Sequence, residues 1–295
     1  KINAVAYSPD AAWIASANAQ GNIKLWDAAS GQERHTLSGH TGNINAIAFS
    51  PDGGMIVSAN NDKTLSLWDI AKNQEPLILR GHSKEAIAIA FSPEGRSFIS
   101  ASRDGTLKLW DTNNGQELFS LSGHTDSVTA VAFSPDGTKI VSASNDNSLK
   151  LWNISETPNL STGSQSKQLS KSSHSGSVSA VSFSPDGNKF VSGSEDMTLK
   201  LWDTGSRQEI LTLRGHTGSI TSTTFSPDGT KIVSASNDNS LKIWDTVSGQ
   251  ELRSISDNAG QGNAVELPDG RKYVTFNVDS VPMQKDATSG EEVPL

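Results

Sequence analysis

From Val128 the chain runs Val-Thr-Ala-Val-Ala-Phe, an apolar, β-forming stretch that stops at Ser134-Pro135-Asp136-Gly137. Proline and glycine at those offsets are turn chemistry, so the stretch predicts a strand ending in a tight turn. Lys139 to Ser144 reads as a second strand, Asn145-Asp146-Asn147 as a second polar turn, and Ser148 to Trp152 as a third strand. In the regular copies a Gly-Gln-Glu turn follows with a fourth strand behind it, as in Gly115-Gln116-Glu117-Leu118-Phe119-Ser120-Leu121. Four short strands and three turns predict an antiparallel meander. Helical periodicity is essentially missing.

The pattern recurs. Trp26, Trp68, Trp110, Trp152, Trp202 and Trp244 follow one another at steps of 42, 42, 42, 50 and 42 residues, and they are six of the seven tryptophans. No single element has so long a period, so each step is one supersecondary unit. A four-stranded meander has two apolar faces, and only stacking against further copies covers both. The 295 residues accommodate seven units of 42, which need 294. We therefore expect one domain of seven sheets, at about 1–38, 39–80, 81–122, 123–172, 173–214, 215–256 and 257–295.

Charge and composition narrow the partners. The net charge is −8, and no dense Lys/Arg cluster occurs. Phosphate neutralisation drives non-specific nucleic-acid binding, so this balance argues against nucleic acid and, by the same reasoning, against membrane surfaces. No run approaches the ~18 apolar residues of a membrane helix. With no cysteine the chain forms no disulfide and offers no thiolate, which fits a reducing, cytoplasmic setting. The opening at Lys1 instead of Met predicts a longer parent protein.

With its Gly-His opening, Ser-Pro-Asp-Gly turn and Trp-Asp ending, the unit resembles the WD40-repeat family over nearly the whole chain. Gly-His or its relic begins five units, at His40, His82, His124, His174 and His216, and six units end in Trp-Asp or Trp-Asn. The resemblance implies an all-β, seven-bladed β-propeller of four-stranded antiparallel blades whose first strands line the axis.

Five units also carry a serine ten residues before the tryptophan and an aspartate six before it. The sets are His40, Ser58, Asp62, Trp68; His82, Ser100, Asp104, Trp110; His124, Ser142, Asp146, Trp152; His174, Ser192, Asp196, Trp202; and His216, Ser234, Asp238, Trp244. Serine, histidine and aspartate are the ingredients of a hydrolase triad. Five copies at one spacing point instead to a brace in each blade. In WD40 propellers these positions resemble a network from indole to hydroxyl to imidazole to carboxylate. Five histidines in five blades, each with a single carboxylate, make no metal site, and no catalytic residue or cofactor is expected. His35, outside this register, reads as a surface residue of an outer strand.

Departures from the pattern carry the specific information. The first unit lacks the histidine and has Gln20 for the turn aspartate. The seventh is degenerate: Asp257, Thr275 and Lys285 replace His, Ser and Trp, and Pro282 falls in its third strand. Either drift in a terminal repeat or a partner covering the seam accounts for it. Gly290 to Leu295 is the candidate outer strand of this blade, and closure is by packing alone or by a strand outside the chain. The 50-residue step places a polar insertion at 155–166, read as a loop. Ser134–Trp152 and Ser226–Trp244 differ only at Leu151 against Ile243, which indicates recent duplication.

The loops before strand one and between strands two and three are expected to share one rim, the family's usual binding face. Its turn positions are Asn61, Arg103, Asn145, Glu195 and Asn237. Its strand-one positions include Lys1, Asn43, Asn45, Glu85, Ile87, Ser127, Thr129, Ser177, Ser179, Ser219 and Thr221. The rim reads as small and neutral, with charge at Lys1, Glu85, Arg103, Asp126 and Glu195. The expected function is a non-enzymatic protein- or peptide-binding scaffold, a monomeric ring serving as the recognition domain of a larger signalling protein. The alternatives are a propeller enzyme with an axial-channel site and a structural oligomerisation module.

Overall fold

A computed structural model describes residues 2–38, 42–72, 75–154 and 173–256, and beyond these only the strands Ser166–Gln168, Asn263–Glu266, Lys272–Val278, Val281–Asp286 and Glu292–Pro294. Among the described residues every regular element is a strand. The strands form seven four-stranded antiparallel sheets, each a meander in chain order, numbered here as blades one to seven.

The first strands of the blades are Ile2–Tyr7, Ile44–Phe49, Ala86–Phe91, Val128–Phe133, Val178–Phe183, Ile220–Phe225 and Asn263–Glu266. Each neighbours the first strand of the next blade, and Asn263–Glu266 lies beside both Ile220–Phe225 and Ile2–Tyr7, so the sequence of neighbours closes on itself. The fourth strand of blade seven is Glu292–Pro294, within the stretch expected for it. Pro282 lies in the third strand opposite Asn277, one residue before pairing with Glu292–Pro294 begins at Met283. The insertion at 155–165 lies outside the described residues, and Ser166, assigned to that loop from sequence, opens the short fourth strand of blade four.

Packing explains why one repeat is not a folding unit. Five of the six core clusters among the described residues draw their apolar side chains from two consecutive blades. Val57, Ala59, Leu65, Leu67 and Leu79 of blade two meet Ala86, Phe98 and Trp110 of blade three. The same arrangement joins blades three and four, four and five, and five and six. The small second-strand residues (Ala17, Ala59, Ala101, Ala143, Gly193) keep the sheets close. Large residues (Trp68, Trp110, Trp152, Trp202, Trp244), all at most 3% exposed, fill the space between them. Phe190 stacks on Trp202 at 6.0 Å, nearly parallel, as Phe98 does on Trp110. Burial of apolar area between blades is thus the main stabilising term.

The first strands of blades one to six each carry a β-bulge at the second residue, where the register to strand two slips by one. A bulge re-aims the extra side chain. Here it reaches across to the next blade: Asn3 donates to the carbonyl of Ile44, Asn45 to that of Ala86, Thr129 to that of Val178 and Ser179 to that of Ile220. This corrects the rim expectation for Asn45, Thr129 and Ser179, whose polar groups are engaged between blades. Ile87 occupies the same bulge without a polar group to donate.

At the perimeter, the turn after each Trp-Asp leans on the preceding blade. Gly115, at φ 69°, places its α-carbon so that a β-carbon would lie 2.5 Å from Leu79 Cδ2 and 2.6 Å from Leu77 Cδ2. Gly115→Ala is expected to lower the stability measured by urea unfolding by about 1–2 kcal/mol, from the left-handed backbone and the crowding together. A stability equal to wild type would mean that the perimeter contact yields freely.

Candidate functional site

The repeated polar set assembles in blades three to six. His124 Nδ1 lies 2.9 Å from Asp146 Oδ2 and its Nε2 2.8 Å from Ser142 Oγ, while the Trp152 indole N–H donates to the same hydroxyl at 2.8 Å. The other three copies have the same connections. His82 to Asp104, His174 to Asp196 and His216 to Asp238 span 3.2, 2.8 and 2.8 Å. Their Nε2 contacts to Ser100, Ser192 and Ser234 span 2.7, 2.8 and 2.7 Å. Trp110, Trp202 and Trp244 donate to those hydroxyls at 2.9, 2.9 and 2.8 Å. Burial of the ring favours the neutral imidazole, and in that form the hydroxyl hydrogen donates to Nε2 and Nδ1–H donates to the carboxylate.

The aspartate ties this chain to two loops. Asp146 Oδ2 also accepts from Thr125 N–H, in the loop before strand one, and Oδ1 accepts from the N–H and hydroxyl of Ser148 at the start of strand three. Burial pushes His82, His124, His174 and His216 below the usual imidazole range against a partial opposing pull from their aspartates. For Asp104, Asp146 and Asp196 burial acts to raise the carboxyl, but hydroxyl and backbone donors and the adjacent histidine outweigh it and hold each at about 2. Asp238 is held well below the usual carboxylate range by the same balance.

The geometry is that of a triad, yet the nucleophile is out of reach. Ser100, Ser142, Ser192 and Ser234 are 0% exposed, each between an indole and an imidazole. A substrate carbonyl cannot approach these hydroxyls without opening the blade. Among the described residues no three His, Asp or Glu side chains converge as a metal site.

Blade one departs from the set, and in blade two the described part of it has the same connections as in blades three to six. Trp26 donates to Ser16 at 2.8 Å, and in place of a turn aspartate Asn18 Oδ1 accepts from the N–H groups of Gln20 and Asn22. In blade two Trp68 donates to Ser58 at 3.3 Å, and Asp62 accepts from the N–H and hydroxyl of Thr64. His40 lies outside the described residues, as do Lys1 and the blade-seven positions Asp257 and Asp279. His35 is exposed, with its ring 6.2 Å from that of Trp13.

The aspartates fix the rim. With both loops held, turn and strand-one positions meet in pairs within a blade through a backbone bond: Asn61 N–H to Asn43 O, Arg103 to Glu85, Asn145 to Ser127, Glu195 to Ser177 and Asn237 to Ser219. Asn61, Arg103, Asn145, Glu195 and Asn237 are exposed, while the neighbouring Asp104, Asp146, Asp196 and Asp238 are held half-buried by the brace. Arg103 Nε lies 2.8 Å from Glu85 Oε2, so the two charges expected to be free neutralise each other. That pair is exposed at both ends and contributes at most about 1 kcal/mol to stability.

Sequence reasoning missed three rim residues. Lys63 and Met197 follow the turn aspartate instead of preceding it, and Lys84 lies in the loop before strand one; all three are exposed. The available signal was the residue after that aspartate, which is Gly or Asn in four of the six described blades.

A family model described as WD domain, G-beta repeat matches residues 1–27, 31–69, 73–111, 115–153, 163–203 and 207–245, leaving the seventh sheet unmatched. A comparison with curated proteins finds no match. Six tandem matches over most of the chain, each ending on the Trp-Asp or Trp-Asn pair of a four-stranded sheet, show that it belongs to the WD-repeat family and adopts a β-propeller fold.

Proposed function

We propose that this propeller is a non-enzymatic scaffold that binds a protein or peptide through the rim formed by the brace loops, as the recognition domain of a larger, cytoplasmic signalling protein. WD-repeat chains are in general protein-interaction scaffolds. The observation that carries the choice of rim is where the repeats diverge. Brace and core positions repeat from blade to blade and are buried, whereas the exposed turn positions read Asn61, Arg103, Asn145, Glu195 and Asn237. Near-identity of Ser134–Trp152 with Ser226–Trp244, rim turns included, supports recent duplication, so the charges among these turn positions come from blades three and five. The reading includes a monomeric ring without cofactor.

Reversing charge at the rim, with Arg103→Glu and Glu195→Arg together, is expected to weaken a captured partner at least tenfold. Unfolding should shift by only about 0.5 kcal/mol, since both side chains are exposed. Titration calorimetry against that partner reads the outcome. Unchanged affinity, with loss instead on reversing Lys139 and Asp136 at the opposite turns, would assign binding to the other face.

A further inference from the structure

The residue after the turn aspartate (after Gln20 in blade one) has a left-handed backbone in blades one to six. It is Gly21 at φ 83°, Lys63 at 73°, Gly105 at 82°, Asn147 at 64°, Met197 at 67° and Asn239 at 62°. The turn imposes this, because the residue's N–H bonds back to the carbonyl three residues earlier (Met197 to Ser194, Asn147 to Ser144) while the aspartate accepts from the residue after it. Glycine and asparagine tolerate the conformation. Methionine is disfavoured there, since its β-carbon crowds its own backbone and it has no local hydrogen bond to offset that.

The braced turn holds the backbone of Met197, but its side chain joins no apolar cluster of the described molecule. The side chain is 45% exposed. Of the other exposed large apolar residues, Leu77, Ile78, Leu118, Ile210 and Leu252 lie on fourth strands at the perimeter, Val247 in the turn after the third strand of blade six and Ile2 at the start of a first strand. Lys63 shares the strained backbone, but its ammonium is hydrated where it stands. Met197 combines strain with an apolar chain left in water. Such strain persists where the surrounding structure over-determines it, as the braced turn does here, and it clusters at sites that bind.

Two residues away, Glu195 is exposed and makes no ion pair among the described residues, whereas Glu85 is neutralised by Arg103. Blades four and six, on either side, read Asn145-Asp146-Asn147 and Asn237-Asp238-Asn239. Blade five replaces both asparagines and keeps the aspartate, so a carboxylate and a thioether project from one braced turn between two neutral ones.

The geometry points to the Glu195–Met197 turn as an anchor for an extended peptide segment in which a lysine or arginine adjoins a large apolar side chain. The cation pairs with Glu195. The apolar side chain lies against the unbranched, polarisable Met197, which adapts to varied shapes. This rests on the rim reading of the preceding subsection and names the partner chemistry at one blade.

Fluorescence anisotropy with the whole chain and three labelled peptides of equal length tests it, the peptides built on Arg-Leu, Glu-Leu and Arg-Ser repeats. The Arg-Leu peptide should bind at least tenfold tighter than the other two. Met197→Asn, the residue of the flanking blades, should remove most of the advantage over Arg-Ser and melt no lower than wild type. Glu195→Gln should remove most of the advantage over Glu-Leu. No preference for Arg-Leu, or a preference that survives both substitutions, overturns the inference. If a surviving preference is lost on Arg103→Glu, the rim reading stands and only the anchor is wrong. If it is insensitive to all three substitutions, the rim reading falls with it.

Discussion

Trp110→Ala is expected to destabilise the ring by about 3–5 kcal/mol, and Trp26→Ala by about half as much, both read by denaturant unfolding. The difference comes from surroundings, since the two indoles occupy the same repeat position. Trp110 is 2% exposed, stacks on Phe98 and packs into the blade two face made by Val57, Leu65, Leu67 and Leu79. Truncation leaves a cavity between two sheets that the strands on either side cannot collapse to fill. It also removes the indole donor from Ser100, although His82 remains as a partner. Trp26 is half-buried, has Lys24 above its ring and donates to Ser16. Equal losses at the two sites would show that inter-blade packing is not what distinguishes them.

The period of 42 and the turn residues made the strands legible because each records a local requirement: β-formers in the runs, Pro and Gly at turn offsets, a large residue where the next blade must be met. The brace was legible for a related reason, since buried indole, hydroxyl and imidazole need one another and their spacing repeats. What the sequence could not reveal depends on contacts between blades. The bulge that turns Asn45, Thr129 and Ser179 from rim residues into ties appears only when a neighbouring carbonyl is in place. The Glu85–Arg103 pair likewise needs two loops brought together by a backbone bond. Met197 was hidden differently, because an apolar residue in a polar turn looks unremarkable until its φ is known. For blade seven only the strand order is described, and its lost brace residues gave the sequence little to mark.

The same brace that hides its serines makes the fold acid-sensitive, and the sign follows from both partners. His82, His124, His174 and His216 are pushed by burial below the ordinary imidazole value of about 6.5. Below about pH 6.5 the unfolded chain therefore takes up protons that the native imidazoles refuse, and stability falls as pH falls. Each such proton contributes a slope of up to about 1.4 kcal/mol per pH unit, so four braces give at most about 5. The aspartates act lower. Asp104, Asp146 and Asp196 sit at about 2 against 3.8 unfolded, so their contribution is complete above about pH 5. It amounts to about 1–2 kcal/mol each and is lost as pH drops toward 2. Urea unfolding should accordingly show a plateau above pH 7, a decline beginning near 6.5 and a second loss below about 5. His124→Gln should lower stability throughout and reduce the slope between pH 6.5 and 5.5 by about a quarter, one proton in four. A flat profile from pH 7.5 to 5.5, or a slope untouched by that substitution, would mean that the imidazoles take up protons in place, and the neutral brace would be wrong.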